Sequence, residues 1–475
     1  MVKKQTKIIA TIGPASESRE NLKKMILEGM NVVRLNFSHG TKENYAEVIK
    51  TVKSLIEELN IQVGILADLQ GPKIRVGEIE NNALDLREGD RFIMTTKECV
   101  GNKDRVQINY PDFAKDTEPG ERIMLDDGKI ELKVEETNGV DEVHVSVTHE
   151  GILSSNKGVN LPNTKLSFAS LTKKDREDLE FILTQDIDWL ALSFVRSARD
   201  IIELKHIIKD HNSTIKIIAK IEKPEALNEI DEIIQESDGL MVARGDLGVE
   251  IPMEQVPMAQ KMIIKKCIQH SKPVIVATQM MDSMIVNYRP TRAEVNDVAN
   301  AVLDGADAVM LSGETSVGKY PILVVSSMTK IIQEIELGDD IYHHGTIELD
   351  PNSERYISDA ICKSSGALSK TTDAKGIVTM TFSGYTAFKI SSLRPRAKIY
   401  VFTGNKELLS MLTLVWGVEG FYYDKMVSTD HTIADIKYLL KKEQNVQSGD
   451  LMIHVASMPI ANQGMTNMLK LSMVD

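Results

Sequence analysis

Eight short apolar runs constrain this chain before anything else does. They are KIIATIG (7–13), VVRLNF (32–37), VGILADL (63–69), WLALSF (189–194), IKIIAKIE (215–222), GLMVARG (239–245), PVIVAT (273–278) and AVMLSG (308–313). Each is apolar along its length rather than at every second residue, the pattern of parallel strands covered on both faces. Helical periodicity separates most of them. In 41–59, Tyr45, Val48, Ile49, Val52, Leu55, Ile56 and Leu59 fall on one face, and Thr41 is placed to cap. In 18–30, Leu22, Met25, Ile26 and Met30 do the same, with Gly29 as a stop. Strands alternating with helices in this way predict an α/β fold, a (β/α)8 TIM barrel.

One interval is too long for a simple barrel. Between Asp68 and Phe194 the chain reads ALDLREGDRFIMTT, ERIMLDDGKIELKVEET and EVHVSVTHEGIL, punctuated by the turn signals DDGK and TNGV. This predicts an inserted all-β lid domain over 72–169, leaving 1–71 and 170–340 to the barrel. Ser170 or Thr172 is placed to cap the helix where the barrel resumes. After 337 a polar connector leads to strand-like GIVTMTF, KIYVFTG, GVEGFYYD and DLMIHVAS, alternating with helical segments. That predicts a C-terminal open α/β domain over 350–475.

A chain of 475 residues exceeds one ordinary core, which agrees with several domains. No run approaches the ~18 apolar residues of a membrane span, and the basic N-terminus lacks the pattern of a signal peptide. A net charge of −13 argues against a nucleic-acid binder. Cys99, Cys267 and Cys362 are far apart, without metal-ligand spacing, as expected of a cytoplasmic protein.

Chemistry in such a barrel sits at the carboxyl ends of the strands. There the sequence places Arg34, Asn36, Ser38 and His39 (strand two), Asp68, Lys73 and Arg75 (three), Lys220 and Glu222 (five), Arg244, Gly245 and Asp246 (six), Thr278 and Gln279 (seven), and Ser312 and Glu314 (eight). Converging charges cost desolvation unless ligands compensate. Glu222 and Asp246 are hard oxygen donors suited to Mg2+ or Mn2+. Arg34, Arg75 and Lys220 form a clamp suited to a phosphoryl group. A helical turn starting at Gly245-Asp246 would offer N–H groups to a small carboxylate. Together they suggest phosphoryl transfer involving a small phosphorylated acid.

The stretches VVRLNFSHG, KIE, GLMVARGDLGVEIP, VATQMMDSM and RPTRAEVNDVANAVLDGADAVMLSGETSVGKYP resemble the pyruvate kinase family, and the likeness runs from KIIATIGPAS to GMTNMLK. The resemblance implies the same three-part fold, a homotetramer, and conversion of phosphoenolpyruvate and ADP to pyruvate and ATP. It implies that Glu222 and Asp246 hold a divalent metal, that Lys220 neutralises the phosphoryl group and the enolate, and that Arg34 grips the phosphoryl group. Arg75, with Asn36, His39 and Lys174, would bind the nucleotide. Gly245, Asp246 and Thr278 would receive the substrate carboxylate. Thr278 would relay a proton through a water that Ser312 and Glu314 order.

Many members read DTKGPEIRTG where this chain has DLQGPKIRVG. In those members K+ sits among residues matching Asn36, Ser38, Asp68 and the Leu69 carbonyl. Here Lys73 replaces a glutamate, and its ammonium is expected to stand in for the ion, so that K+ is not required. In TFSGYTAF, residues Thr381, Ser383, Gly384 and Thr386 match the loop that takes the phosphate of an allosteric effector. The rival readings are a metal-dependent 2-oxo-acid lyase or aldolase on a related barrel, and a non-catalytic metabolite sensor.

Overall fold

The structure is a computed structural model describing residues 4–162, 164–167, 169–343, 345–425, 428–459 and 464–475. The eight apolar runs form eight parallel strands: β1 (Lys7–Thr11), β2 (Val32–Asn36), β3 (Gly64–Asp68), β4 (Trp189–Leu192), β5 (Lys216–Ile221), β6 (Gly239–Ala243), β7 (Val274–Ala277) and β8 (Ala308–Leu311). They close in sequence order, β1 pairing with both β2 and β8. Nearly every residue in them is buried, because side chains on one face fill the barrel and those on the other meet the helices.

The surrounding helices start and stop where their ends demand it. Thr41 accepts a hydrogen bond from the Asn44 N–H at the head of Lys42–Leu59, and Asn60, left-handed at φ 52°, ends that helix. Thr172, rather than Ser170, caps Lys173–Ile182, in a reciprocal box with Asp175.

Between β3 and β4 lie a six-stranded sheet and a two-stranded ribbon. Here burial alternates, as in Ile130–Thr137 and Glu142–His149, so one face packs on its own core of Ile123, Leu132, Val134 and Val145. Both turn signals are realised: Asp126, Asp127, Gly128 and Gly139 all have positive φ.

The C-terminal part is a five-stranded sheet ordered Val418–Tyr422, Lys398–Thr403, Gly376–Met380, Leu451–Ala456 and Met468–Met473. The last strand is antiparallel and was absent from the sequence reading. Its MLKLSM pattern is half exposed, without the buried run that marks its neighbours.

This domain seals the amino-terminal end of the barrel. Met411, Leu414 and Phe388 join the barrel-floor residues Ile9, Val32, Leu66 and Trp189 in one apolar cluster. The approach is close at Gly64, where a Cβ would stand 2.5 Å from Thr413 Oγ1 and 3.0 Å from the Ser410 carbonyl. Arg394 pairs with Asp307 across the junction at 2.8 Å. A cavity of about 320 Å³ also opens here, lined by Trp189, Lys216, Phe388 and Lys389 among others. The opposite rim, at the carboxyl ends of the strands, is not covered by this domain. Among the described residues no helix is long and apolar enough to cross a membrane.

Candidate active site

At the carboxyl rim, strand ends from β2, β3 and β5 converge on one carboxylate. Asp68, 1% exposed, takes Arg34 Nε and Nη2 on Oδ2, both at 2.7 Å, and Lys220 Nζ on Oδ1 at 3.2 Å. Arg34 Nη1 also donates to Thr11 Oγ1 at 2.8 Å. Lys220 Nζ reaches Glu222 Oε1 at 3.0 Å and donates to Ser193 Oγ at 2.7 Å. The other Glu222 oxygen accepts the Phe194 N–H at 2.7 Å, and Phe194 holds a left-handed φ of 54° to present it.

Burial and the neighbouring charges together set the protonation behaviour. It raises the Asp68 carboxyl, but Lys220 and Arg34 outweigh it and hold that group below its usual range. Burial opposes charge on Lys220, yet Asp68 and Glu222 keep it protonated well above its ordinary value. Glu222 is raised, first by burial and then by the charge of Asp246, with Lys220 opposing. Glu222 and Asp246 are near enough for their charges to repel.

Asp246 lies in the first turn of the helix Arg244–Glu250 and remains open, its side chain 28% exposed. Lys73 Nζ stands 3.7 Å from Asp246 Oδ1. It was expected beside Asn36, Ser38, Asp68 and the Leu69 carbonyl, and its ion pair is made with Asp246 instead. The expected cation donors have partners in the protein: Asn36 Oδ1 accepts the Ser38 N–H at 3.3 Å, and the Leu69 carbonyl accepts Ser193 Oγ at 2.7 Å.

The Gly245 N–H donates to Thr278 Oγ1 at 2.7 Å, and that hydroxyl donates to the Ala277 carbonyl at 2.6 Å. Thr278 is thus beside the helix end where the sequence reading placed it. Glu314 is buried, with one oxygen on the Met281 N–H at 3.1 Å and the other on the Ser312 N–H at 2.7 Å. These two bonds tie the ends of strands seven and eight together.

His39 lies within electrostatic reach of two other nucleotide candidates, Arg75 and Lys174. Partial burial, then the charges of Arg75, Lys73, Arg34 and Lys174, hold its imidazole below the ordinary range. Arg75 Nη1 donates to the Asn156 carbonyl at 3.0 Å, and Lys174 Nζ to the Phe37 carbonyl at 2.6 Å. In the C-terminal domain, Thr381, Ser383 and Thr386 line a cavity of about 540 Å³ together with Arg355, Tyr423 and Asp424. Gly384, at φ 84°, donates its N–H to Thr381 Oγ1 at 3.0 Å.

Sequence reasoning missed Ser193, Thr11 and the Phe194 N–H. Small hydroxyl and backbone groups carry no charge signal, and Ser193 is marked only by ending an apolar run. Among the described residues no group of three or more His, Cys, Asp or Glu side chains is arranged to hold a metal. Two carboxylates, Glu222 and Asp246, are nonetheless the donor set of Mg2+-type sites that are completed by substrate oxygens.

Comparison with known proteins agrees in every part of the chain. Residues 3–325 match the family model "Pyruvate kinase, barrel domain", and residues 359–472 match "Pyruvate kinase, alpha/beta domain". A pyruvate kinase from Geobacillus stearothermophilus is 42% identical over all of this chain and 81% of its own length. One from Clostridium acetobutylicum is 41% identical over 99% of this chain and 100% of its own. A crystal structure of a pyruvate kinase from Cryptosporidium parvum superposes with a TM-score of 0.93 at 36% identity, covering 99% of this chain and 96% of that one.

Proposed function

Because the chain belongs to the pyruvate kinase family, we propose that its rim transfers the phosphoryl group of phosphoenolpyruvate to ADP, with Lys220 at the centre of the reaction. The protein is a phosphotransferase, and phosphoenolpyruvate/pyruvate and ADP/ATP are its substrates. The observation that carries the proposal is the position of Lys220 Nζ, shared among Asp68, Glu222 and Ser193 within 3.2 Å.

Glu222 and Asp246 would hold the divalent metal, Mg2+ or Mn2+. When bound, it supplies positive charge that screens substrate carboxylate and phosphate oxygens from each other. The rest is the work of side chains. Arg34, fixed in angle by Asp68 and Thr11, grips the phosphoryl oxygens as a planar fork. As the bond from phosphorus to the enol oxygen breaks, a terminal ADP oxygen forms the new one, and negative charge grows on the enol oxygen. Lys220, kept protonated by its two carboxylates, stabilises that charge without giving up its proton. The carbon–carbon double bond of the enolate then takes a proton at its methylene carbon, relayed from the side of Thr278 through water, and becomes the methyl group of pyruvate. Gly245, Asp246 and Thr278 receive the carboxylate end. Arg75, Asn36, His39 and Lys174 bind the nucleotide, the Arg75 and Lys174 charges meeting its phosphates. Ser312 and Glu314 act through the strand ends that they tie.

Lys73 adds a positive charge to this rim beside Asp246 rather than among the expected K+ donors, and activity without K+ is proposed on that charge alone. The cavity beside Thr381, Ser383, Gly384 and Thr386 offers hydroxyls, Arg355 and a helix N-terminus, and we assign it to the phosphate of an allosteric effector. The parts divide as 1–71 with 170–340 for the barrel, 72–169 for the lid and 350–475 for the regulatory domain. A cytoplasmic homotetramer is the expected working form, checked by light scattering on the purified protein.

The test is pyruvate formation from phosphoenolpyruvate and ADP with Mg2+, run with and without K+ and then with phosphorylated metabolites. Turnover that needs ADP and proceeds without K+ is expected. Pyruvate enolisation or carbon–carbon cleavage without ATP formation would point to a lyase instead.

A further inference from the structure

Arg244 is a rim cation whose guanidinium is committed to the protein. Nε donates to the Ala277 carbonyl at 3.2 Å, and Nη2 donates to the Thr278 carbonyl at 2.7 Å and touches Met280 Sδ at 2.9 Å. Nη1 and Nη2 bind the two oxygens of Asp297 at 2.6 and 2.7 Å, a forked pair. Asp297 lies on the helix Arg292–Leu303, between β7 and β8. One side chain from the end of β6 therefore clasps the end of β7 and is aimed by the next helix.

What it clasps is unusual backbone. Thr278 has φ 71° and Gln279 φ 53°, two successive non-glycine residues in the left-handed region. A β-branched residue avoids that region unless its surroundings impose it. The two carbonyls that Arg244 holds are those flanking the Thr278 N–Cα–C unit, so the clasp fixes the bend where it occurs. The bend decides where the hydroxyl points: Thr278 Oγ1 meets the Gly245 N–H at 2.7 Å, at the first turn of the helix that carries Asp246.

We infer that Arg244, oriented by Asp297, is a positioning residue that locks the end of β7 in this left-handed turn and so aims the Thr278 hydroxyl. This rests on the reading that Thr278 serves the proton transfer to the enolate. Arginine is needed because a single planar fork reaches two carbonyls and a carboxylate at once. The point charge of lysine does not.

The experiment compares Arg244→Lys, Asp297→Asn, Thr278→Ala and the double variant Arg244→Lys/Thr278→Ala, all in the full chain. Steady-state kcat and KM for phosphoenolpyruvate are measured, together with deuterium uptake at the pyruvate methyl group. Arg244→Lys should lose roughly 100-fold in kcat with KM within about threefold, since a misplaced group costs turnover more than binding. Asp297→Asn, which keeps the arginine and guards against a variant that does not fold, should lose about tenfold and slow deuterium uptake in parallel. The double variant should be no slower than Thr278→Ala, because two residues acting as one unit are not additive. Losses that multiply in the double variant, or kcat and KM shifting together with the thermal midpoint, would overturn the inference and leave the role of Thr278 standing. Wild-type turnover and deuterium uptake in Thr278→Ala would remove the role of Thr278 itself, and the clasp would then serve no proton transfer.

Discussion

The rim and the base of the barrel each bury an arginine against an aspartate: Arg34 on Asp68 at 2.7 Å, and Arg394 on Asp307 at 2.8 Å. The two pairs differ in their remaining partners. At the base, Arg394 also binds the Ser391 and Gly305 carbonyls and stacks 5.2 Å over Trp416, and Asp307 accepts the Trp416 and Val274 N–H groups. Its charges are met by fixed groups and sealed at 2% and 3% exposure. At the rim, two cations divide one carboxylate, and Lys220 leans on Glu222 for the rest. The base pair, although Arg394 Nε is buried without an acceptor, is closed in by fixed groups and acts as a fastener, whereas the rim pair shares its carboxylates among cations from different strands, an arrangement suited to an anionic guest.

The strongest test of that contrast is Lys220→Met. It should lower kcat by roughly 1000-fold, the scale of removing one preorganised charge from a transition state, while the protein stays folded. Full turnover in this variant would erase the distinction between the two ends. Arg394→Met should do the opposite. Leaving Asp307 buried and unpaired should cost about 3–5 kcal/mol in chemical denaturation, with kcat per folded molecule unchanged. A selective loss of kcat at full stability would show that the base pair is more than a fastener.

Smaller effects sharpen the comparison. Lys73→Glu reverses the charge beside Asp246 and should slow the K+-free reaction by about tenfold or more, with added K+ restoring it. No gain from K+ would separate Lys73 from the monovalent-cation question. The base holds one group with its own pH signature. Burial pushes the Asp188 carboxyl up to about 7, Lys53 and the Ile65 N–H opposing, Asp186 and Glu407 adding. The folded protein binds this proton more tightly than the unfolded chain, so stability is lost as pH rises from the ordinary carboxylate range through 7. Asp188→Asn should flatten the dependence of unfolding free energy on pH between about 4 and 7, by on the order of 1 kcal/mol per pH unit. An unchanged slope would place the titration elsewhere.

The barrel was legible because parallel strands buried on both faces must be apolar throughout, and that signal survives without tertiary knowledge. The inserted sheet was legible through alternation and turn residues. Strand Met468–Met473 was not, since it is an antiparallel edge with no fully buried residue. At the site, charged residues ending apolar runs gave Arg34, Lys220, Glu222 and Asp246. Their immediate supports stayed hidden. Ser193, Thr11 and the Phe194 N–H look like any polar group until the chain folds. The Asp297 clasp on Arg244 joins residues more than fifty positions apart. Lys73 shows the limit most plainly: its charge is visible in sequence, but the carboxylate it faces depends on the path of the hinge.

The strand Lys216–Ile221 has Lys216 on the cavity at the barrel floor and Lys220 in the reaction centre. It is one stiff rod of about 20 Å, gripped along both sides by β4 and β6. Its lower end lies where the C-terminal domain covers the floor, and its upper end lies at the rim. The strand that mounts the ammonium therefore ends at the junction with the C-terminal domain, so the two ends of the barrel share one structural member.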